Sequence, residues 1–146
     1  MKLADKVAII TGGATGIGRT TALLFAQEGA QVVVADYNAE QGRKTAEEIK
    51  QGGGSSLFVQ VDVSSGAQVQ KMVEETVRHF GTVDILFNNA GIGTQGSVVD
   101  LAEEEWDRVI NINLKSIYLG AKAVLPIMMA KKKGAILKYI PLNDEG

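Results

Sequence analysis

The sequence predicts an α/β domain, a doubly wound parallel sheet with strand order 3-2-1-4-5 and helices on both faces. Short apolar runs alternate with helical patterns about every 25 to 30 residues, which is typical of such sheets. A glycine-rich segment, residues 11–18, separates the first apolar run from the first helical pattern. The 146 residues suit one domain, so we expect a single unit over residues 1–146.

The first half of the chain contains three predicted strands and two predicted helices. Each strand is a continuous apolar run, as expected for parallel strands buried on both faces. The strands are predicted at residues 7–10, 32–35 and 57–61. The first helix is predicted from about residue 17 to 28, because Gly29 favours a helix C-terminus. Asn38 followed by Gln41 resembles a capping box, and the helix that it opens is predicted to end at glycines 52–54.

The second half continues the alternation with two strands and three helices. Ser65 opens a third helix, with Gln68 completing a capping box and Gly81 ending the helix. Asp100 is predicted to cap a fourth helix, and a long fifth helix is predicted over residues 113–133. The remaining strands are predicted at residues 83–87 and 135–137.

The composition excludes several classes of function. A net charge of −2 without long charged runs argues against nucleic acid as the main partner. No apolar stretch is long enough to span a bilayer, so no membrane partner is expected. With no cysteine and a single histidine, His79, we expect no metal site. The first residues lack the apolar region of a signal peptide, and a cytoplasmic protein is therefore expected.

The glycine-rich segment is the first motif that indicates chemistry. Gly12, Gly16 and Gly18 lie between a predicted strand and a predicted helix, which is the context of a dinucleotide-binding turn. Glycines let the backbone approach a pyrophosphate, and the helix N-terminus offers unpaired N–H groups. The alternative is an ordinary glycine turn without a ligand.

The second motif is Asp36, at the end of the second predicted strand. A carboxylate there can accept hydrogen bonds from both adenosine ribose hydroxyls and would repel a 2′-phosphate. It therefore favours NAD over NADP. Arg19 and Arg43 are nearby bases that could weaken this preference, and the alternative is a solvated aspartate at a strand end.

Together with the glycine turn 11–18, three further motifs resemble those of the short-chain dehydrogenase/reductase family. They are Asp62-Val63 after the third strand, Asn88-Asn89-Ala90-Gly91 after the fourth, and Asn113. Their order and spacing match the family over residues 1 to about 137. The resemblance implies a Rossmann-like fold and an NAD-dependent oxidoreductase that moves hydride between nicotinamide and a small carbonyl or alcohol substrate.

The resemblance also implies a role for each matching residue. The pyrophosphate is expected beside Gly12, Thr15, Gly16, Ile17 and Gly18. The adenosine ribose is expected at Asp36, the adenine at Asp62 and Val63, and the nicotinamide-side ribose at Asn89, Ala90 and Gly91. Asn113 is expected at an irregularity of the long helix, where it holds the water of a proton relay. The alternative for Asn88 and Asn113 is structural, with their amides bonding backbone groups.

The catalytic Ser, Tyr and Lys of the family follow the fifth strand, and here the chain departs from the family. No serine follows Ser116, and residues 137–146 form an atypical tail. Tyr118 and Lys122 have the family's Tyr-x-x-x-Lys spacing but lie too early in the chain, and we interpret them as a coincidence. The sequence is therefore interpreted as truncated before the catalytic residues and inactive alone, or as an NAD-binding module without turnover.

A short similarity in the tail suggests another origin for it. Residues 140–142, Ile-Pro-Leu, resemble a segment near the family's C-terminus. One hypothesis is that the sequence between the fifth strand and this segment is missing. The other is a truncation followed by an unrelated tail. The family is commonly oligomeric, and the resemblance implies a homo-oligomer. An exposed edge at the fifth strand would add to self-association.

Overall fold

The computed structural model describes residues 1–139, which form a five-stranded sheet around which helices pack. All strand pairs are parallel, and the order β3-β2-β1-β4-β5 confirms the prediction. The strands are β1 (Val7–Thr11), β2 (Gln31–Asp36), β3 (Ser55–Gln60), β4 (Ile85–Asn88) and β5 (Ala135–Lys138). Of the atypical tail 137–146, Leu137 and Lys138 belong to β5, while its Ile-Pro-Leu similarity at residues 140–142 lies outside the described residues.

The helices α1 to α3 begin and end close to the predicted positions. They are α1 (Gly16–Gln27), α2 (Ala39–Gln51) and α3 (Gly66–Phe80). Gly29 and Gly81 follow α1 and α3 with φ angles of 92° and 87°, in the left-handed region that favours glycine. Both predicted helix stops are confirmed.

Each predicted capping box is half formed. The side chains of Asn38 and Ser65 accept hydrogen bonds from the backbone N–H groups of Gln41 and Gln68, as predicted. The reciprocal bonds differ. The Asn38 N–H donates to the Asp36 carboxylate, and the Gln68 side chain accepts from the Asp62 N–H. The groups that would complete each capping box therefore bond to residues at the ends of β2 and β3 instead.

The fourth and fifth predicted helices form one continuous helix. It consists of α4 (Glu103–Ile110), a π-helical segment (Asn111–Lys115) and α5 (Ser116–Ala130). The predicted cap at Asp100 is wrong, because Ala102 occupies the N-cap position. Asp100 instead accepts a hydrogen bond from the Ser97 hydroxyl at 2.7 Å, in the turn before the helix.

Two apolar layers cover the faces of the sheet. Side chains from α3 and α5 pack on one face around Ile9 and Leu86. Side chains from α1 and α2 pack on the other face around Ile10 and Val34. Every residue of β1 is buried, since the strand lies at the centre of the sheet with a helix layer on each side. In contrast, the edge strand β5 is largely exposed.

Candidate functional site

A cavity of about 660 Å³ lies at the carboxyl ends of the strands. The cavity adjoins β1, which has β2 as its neighbour on one side and β4 on the other. The strand order reverses at this point. Ligands of open α/β sheets bind at such a switch point, and the volume is within the range of small-molecule sites. The lining residues are Gly12, Thr15, Asp36, Tyr37, Val61, Asp62, Val63, Ser64, Asn89, Ala90, Gly91, Ile92, Arg108 and Ile112.

The turn between β1 and α1 depends on two glycines. Gly16 has a φ of 54°, and apart from its chain neighbours and the backbone of its own helix, no atom lies within 4 Å of the position that a Cβ would take. Its backbone is therefore open at the start of α1, where N–H groups have no helical partner. Gly18 is tightly packed instead, since a Cβ there would overlap the carbonyl oxygen of Gly12. Thr15, the N-cap residue, lines the cavity.

Hydrogen bonds hold the segment after β4 against this turn. The Thr11 hydroxyl oxygen accepts from the backbone N–H groups of Asn89 and Ala90, each at 3.0 Å. The Asn89 side chain donates to the Gly12 carbonyl at 3.2 Å. The carboxyl ends of β1 and β4 therefore form one fixed wall of the cavity.

Asn113 holds the next residues of the same segment from the helix side. Its Oδ1 accepts from the Ile92 N–H at 2.8 Å, and its Nδ2 donates to the Ile92 carbonyl at 2.7 Å. The predicted irregularity is confirmed, since Asn113 lies in the π-helical segment. Both amide groups bond backbone atoms, which agrees with the structural alternative. The proton relay stays a prediction.

Asp36 ends β2 at the opposite side of the cavity. Its Oδ2 accepts from the Ala14 N–H at 3.0 Å, and its Oδ1 accepts from the Asn38 N–H at 2.9 Å. These bonds fix the carboxylate plane beside the glycine turn. A carboxylate oxygen can accept more than one hydrogen bond, so the group keeps capacity for ligand hydroxyls.

The two bases near Asp36 are engaged elsewhere. Arg19 donates to the Glu48 carboxylate at 2.5 Å, and Arg43 lies over the Phe58 ring at 5.6 Å from its centroid. Neither arginine lines the cavity.

Asp62 lies in a local turn after β3. Its Oδ1 accepts from both the backbone N–H and the hydroxyl of Ser64, at 2.9 and 2.6 Å. Gln68 accepts from the Asp62 N–H at 2.8 Å, which ties the turn to α3. Both Asp62 and Val63 line the cavity.

The structure brings eight of the twelve predicted site residues to the cavity wall. Gly16, Ile17, Gly18 and Asn113 are outside the lining set. Sequence analysis missed six lining residues: Tyr37, Val61, Ser64, Ile92, Arg108 and Ile112. Tyr37, Val61, Ser64, Ile92 and Ile112 each adjoin a predicted residue in sequence, which is a usable signal. Arg108 reaches the cavity only because the long helix passes beside it.

Tyr118 and Lys122, with the Tyr-x-x-x-Lys spacing, lie on the exposed side of α5. The Lys122 amine is 5.7 Å from the centroid of the Tyr118 ring, and the Tyr118 side chain is 59% exposed. Neither residue lines the cavity.

Two negative findings concern residues 1–139. No helix in that range has both the length and the apolar character that a bilayer crossing requires. Within the same range, no three His, Cys, Asp or Glu side chains come together as a group that could hold a metal ion.

Comparison with known proteins identifies a family match over most of the chain. A family model described as short chain dehydrogenase matches residues 6–140. The chain resembles a hydroxysteroid dehydrogenase of Escherichia coli in structure, with a TM-score of 0.90 and 35% identity. That match covers 94% of this chain and 58% of the solved chain.

Two curated relatives illustrate the sequence similarity. The dehydrogenase subunit BbsD of Thauera aromatica is 42% identical over 94% of this chain and 55% of its own length. Tropinone reductase-like 2 of Erythroxylum coca is 43% identical over 93% of this chain and 50% of its own length. The chain thus spans about half the length of the curated relatives it matches.

Proposed function

The chain belongs to the short-chain dehydrogenase family, and on that basis we propose that it binds NAD for hydride transfer between nicotinamide and a carbonyl or alcohol substrate. The turn between β1 and α1, fixed against the segment after β4 in one cavity, is the observation that carries the proposal. Because the chain spans about half of its relatives, the proposed activity is that of the protein to which this region contributes.

The residues present fit a dinucleotide. Gly16 leaves the backbone open at the N-terminus of α1, where N–H groups and the helix dipole favour a pyrophosphate. We assign the pyrophosphate to this turn and the nicotinamide-side ribose to Asn89, Ala90 and Gly91. Bound NAD supplies the hydride chemistry, while the chain binds and orients it. Asn113 is assigned the water of a proton relay.

The charges around Asp36 support NAD over NADP. Its fixed carboxylate suits a ribose diol and opposes a 2′-phosphate, whose negative charge needs a cation. Arg19 and Arg43, the two bases that could weaken this preference, contact Glu48 and Phe58 and are outside the cavity lining. Asp62 and Val63 are assigned to the adenine, on the same side of the cavity.

A titration of the 146-residue chain with NAD and NADP tests this proposal. We expect NAD to bind at least about 10-fold more tightly, since one unfavourable charge contact of ~1.4 kcal/mol gives that ratio. Asp36→Asn keeps the size of the side chain and removes its charge, so the ratio should fall. Asp100→Asn, in an exposed turn, is the matched control. If neither NAD nor NADP binds, the proposal is contradicted.

Binding of NAD without turnover is the second candidate function. It is favoured by the position of Tyr118 and Lys122, which do not line the cavity. NADH oxidation with a panel of ketones separates the two candidates, since only an enzyme consumes NADH. If turnover occurs, Tyr118→Phe should leave it largely intact, and a severe loss with folding preserved would assign Tyr118 a catalytic role.

The proposal also covers the cell compartment and the oligomeric state of the protein. We infer a cytoplasmic protein, because a chain without cysteine suits a reducing compartment. We also infer a homo-oligomer, supported by exposed apolar side chains along α5.

A further inference from the structure

Lys138, the last residue of β5, directs its amine at the cavity wall. Its Nζ donates to the backbone carbonyl of Ala90 at 3.4 Å, and Ala90 lines the cavity. In the sheet register Lys138 is paired with Asn88, two residues before Ala90. The amine therefore lies where the segment after β4 leaves the sheet.

The strand order places this amine at one end of the site. From Asp36 on β2, the cavity passes the glycine turn after β1 and reaches the segment after β4, beside which Lys138 ends β5. A dinucleotide lies across this switch point with its pyrophosphate at the glycine turn. If Asp36 holds the adenosine, as the proposed function states, Lys138 is on the nicotinamide side.

The charge of Lys138 has little compensation from the described part of the chain. No carboxylate among residues 1–139 forms a salt bridge with it. Burial lowers the pKa of Lys138 below the ordinary value for lysine, consistent with partial loss of water around the amine. In contrast, Arg108, a cation of the cavity wall, is held bidentately by Glu105 at 3.0 and 2.9 Å.

We propose that Lys138 selects the redox state of the cofactor, because its ammonium at the Ala90 carbonyl opposes the positive ring of NAD⁺ and not the neutral ring of NADH. The inference rests on the proposed function. NAD⁺ and NADH share their pyrophosphate, riboses and adenine and differ in the charge of the nicotinamide ring. A protein charge near that ring therefore changes the ratio of their dissociation constants. Lys138 is outside the cavity lining, and its amine reaches the site at the Ala90 carbonyl. A charge that acts from this position in a partly wet site changes a dissociation constant by about 3- to 10-fold.

Titrations of the 146-residue chain with NADH, NAD⁺ and ADP-ribose at pH 7 test the inference. Lys138→Met keeps the length of the side chain and removes the charge, so Kd(NAD⁺)/Kd(NADH) should fall by about 3- to 10-fold. Lys138→Arg should keep the ratio. Lys133→Met, exposed before the amino end of β5, removes the same net charge far from the cavity and should also keep it.

ADP-ribose, which lacks the nicotinamide ring, reports whether the adenosine half of the site is intact. Its Kd should be the same in all variants. If Lys138→Met fails to fold, Lys138→Gln gives the same neutral comparison. An unchanged NAD⁺/NADH ratio in a variant that still binds ADP-ribose overturns the role of Lys138. Failure of the wild-type chain to bind any of the three ligands overturns the proposed function itself.

Discussion

Single residues set the geometry of the glycine turn, and Gly16 and Gly18 do so in different ways. Gly16 adopts a φ of 54° with open space around it, which leaves its backbone accessible to a ligand. Gly18 is buried and lets α1 pack directly on the Gly12 carbonyl. Gly18 therefore brings the helix N-terminus close to the end of β1.

Gly18→Ala should destabilise the protein and weaken dinucleotide binding. The added methyl group overlaps the Gly12 carbonyl and the Asn89 side chain, and both are held in the wall of the cavity. Overpacking of this kind costs about 1 to 3 kcal/mol of unfolding free energy. Urea denaturation measures the loss of unfolding free energy, and a separate NADH titration of the folded variant measures the loss of affinity.

Gly93→Ala is the control for that substitution, because no atom lies within 4 Å of its Cβ position. It should match the wild type in stability. A Gly18→Ala protein with wild-type stability and affinity would show that α1 does not need this close approach.

At the scale of secondary-structure elements, Asp84 joins the amino ends of β1 and β4 to the carboxyl end of α5. Its backbone N–H donates to the Val7 carbonyl at 2.9 Å, and its Oδ2 accepts from the Val7 N–H at the same distance. Lys131, which follows α5, donates to Asp84 Oδ1 at 2.5 Å and to Thr82 at 2.8 Å. Burial by itself raises the pKa of Asp84, but the bonds from Lys131 and Val7 outweigh it, so the pKa is lowered.

Asp84→Asn should lower the free energy of unfolding by about 1 to 3 kcal/mol, the range for hydrogen bonds to charged groups. The amide keeps an acceptor for the Val7 N–H but loses the ionic bond to Lys131. Chemical denaturation at pH 7 gives the difference from the wild type. Glu40→Gln, which breaks the exposed pair with Lys44, should leave the midpoint nearly unchanged.

The Asp84 contribution also predicts a pH dependence. A carboxylate with a lowered pKa in the folded state stabilises the protein above its unfolded pKa of about 3.9. That stabilisation is lost as the pH falls through the folded pKa. The difference between the wild type and Asp84→Asn should therefore be constant from pH 7 to about 5 and shrink below about 4. A difference that grows with acid would contradict the ionic role of Asp84.

At the scale of the whole molecule, an exposed apolar stripe runs along the continuous helix. It consists of Leu114, Tyr118, Leu125 and Met129, spaced by four and seven residues on one exposed side. Met129 is 70% exposed. The adjacent edge strand β5 exposes Ile136 and Leu137 as well. Exposed apolar surface and an uncovered strand edge both favour association.

Met129→Lys should reduce self-association of the 146-residue chain, since it places a charge at the carboxyl end of the exposed stripe, beside the edge strand β5. Sedimentation velocity over a range of concentrations measures the change. Val98→Lys, at a loop position that is also highly exposed, is the matched control and should behave as the wild type. A chain that stays monomeric at all concentrations would contradict the inferred homo-oligomer.

The strands, their order and most residues of the candidate site could be predicted from the amino-acid sequence. Strands buried on both faces need continuous apolar residues, so β1 and β2 were visible as short runs. The glycine turn and Asp36 were equally visible, because their proposed functions depend on residue type at a fixed place after a strand. Local capping by Asn38 and Ser65 was predicted for the same reason, since each partner is three residues away.

The partner that each polar group takes depends instead on the tertiary structure. It directed Arg19 to Glu48, Asn113 to Ile92 and the Lys138 amine to Ala90, across separations of 29, 21 and 48 residues. It also joined the two predicted helices through a π-helical segment and left Asp100 outside the cap. The physical reason is that such bonds depend on how elements pack in space, and a pattern read along one element contains no information about its distant neighbours.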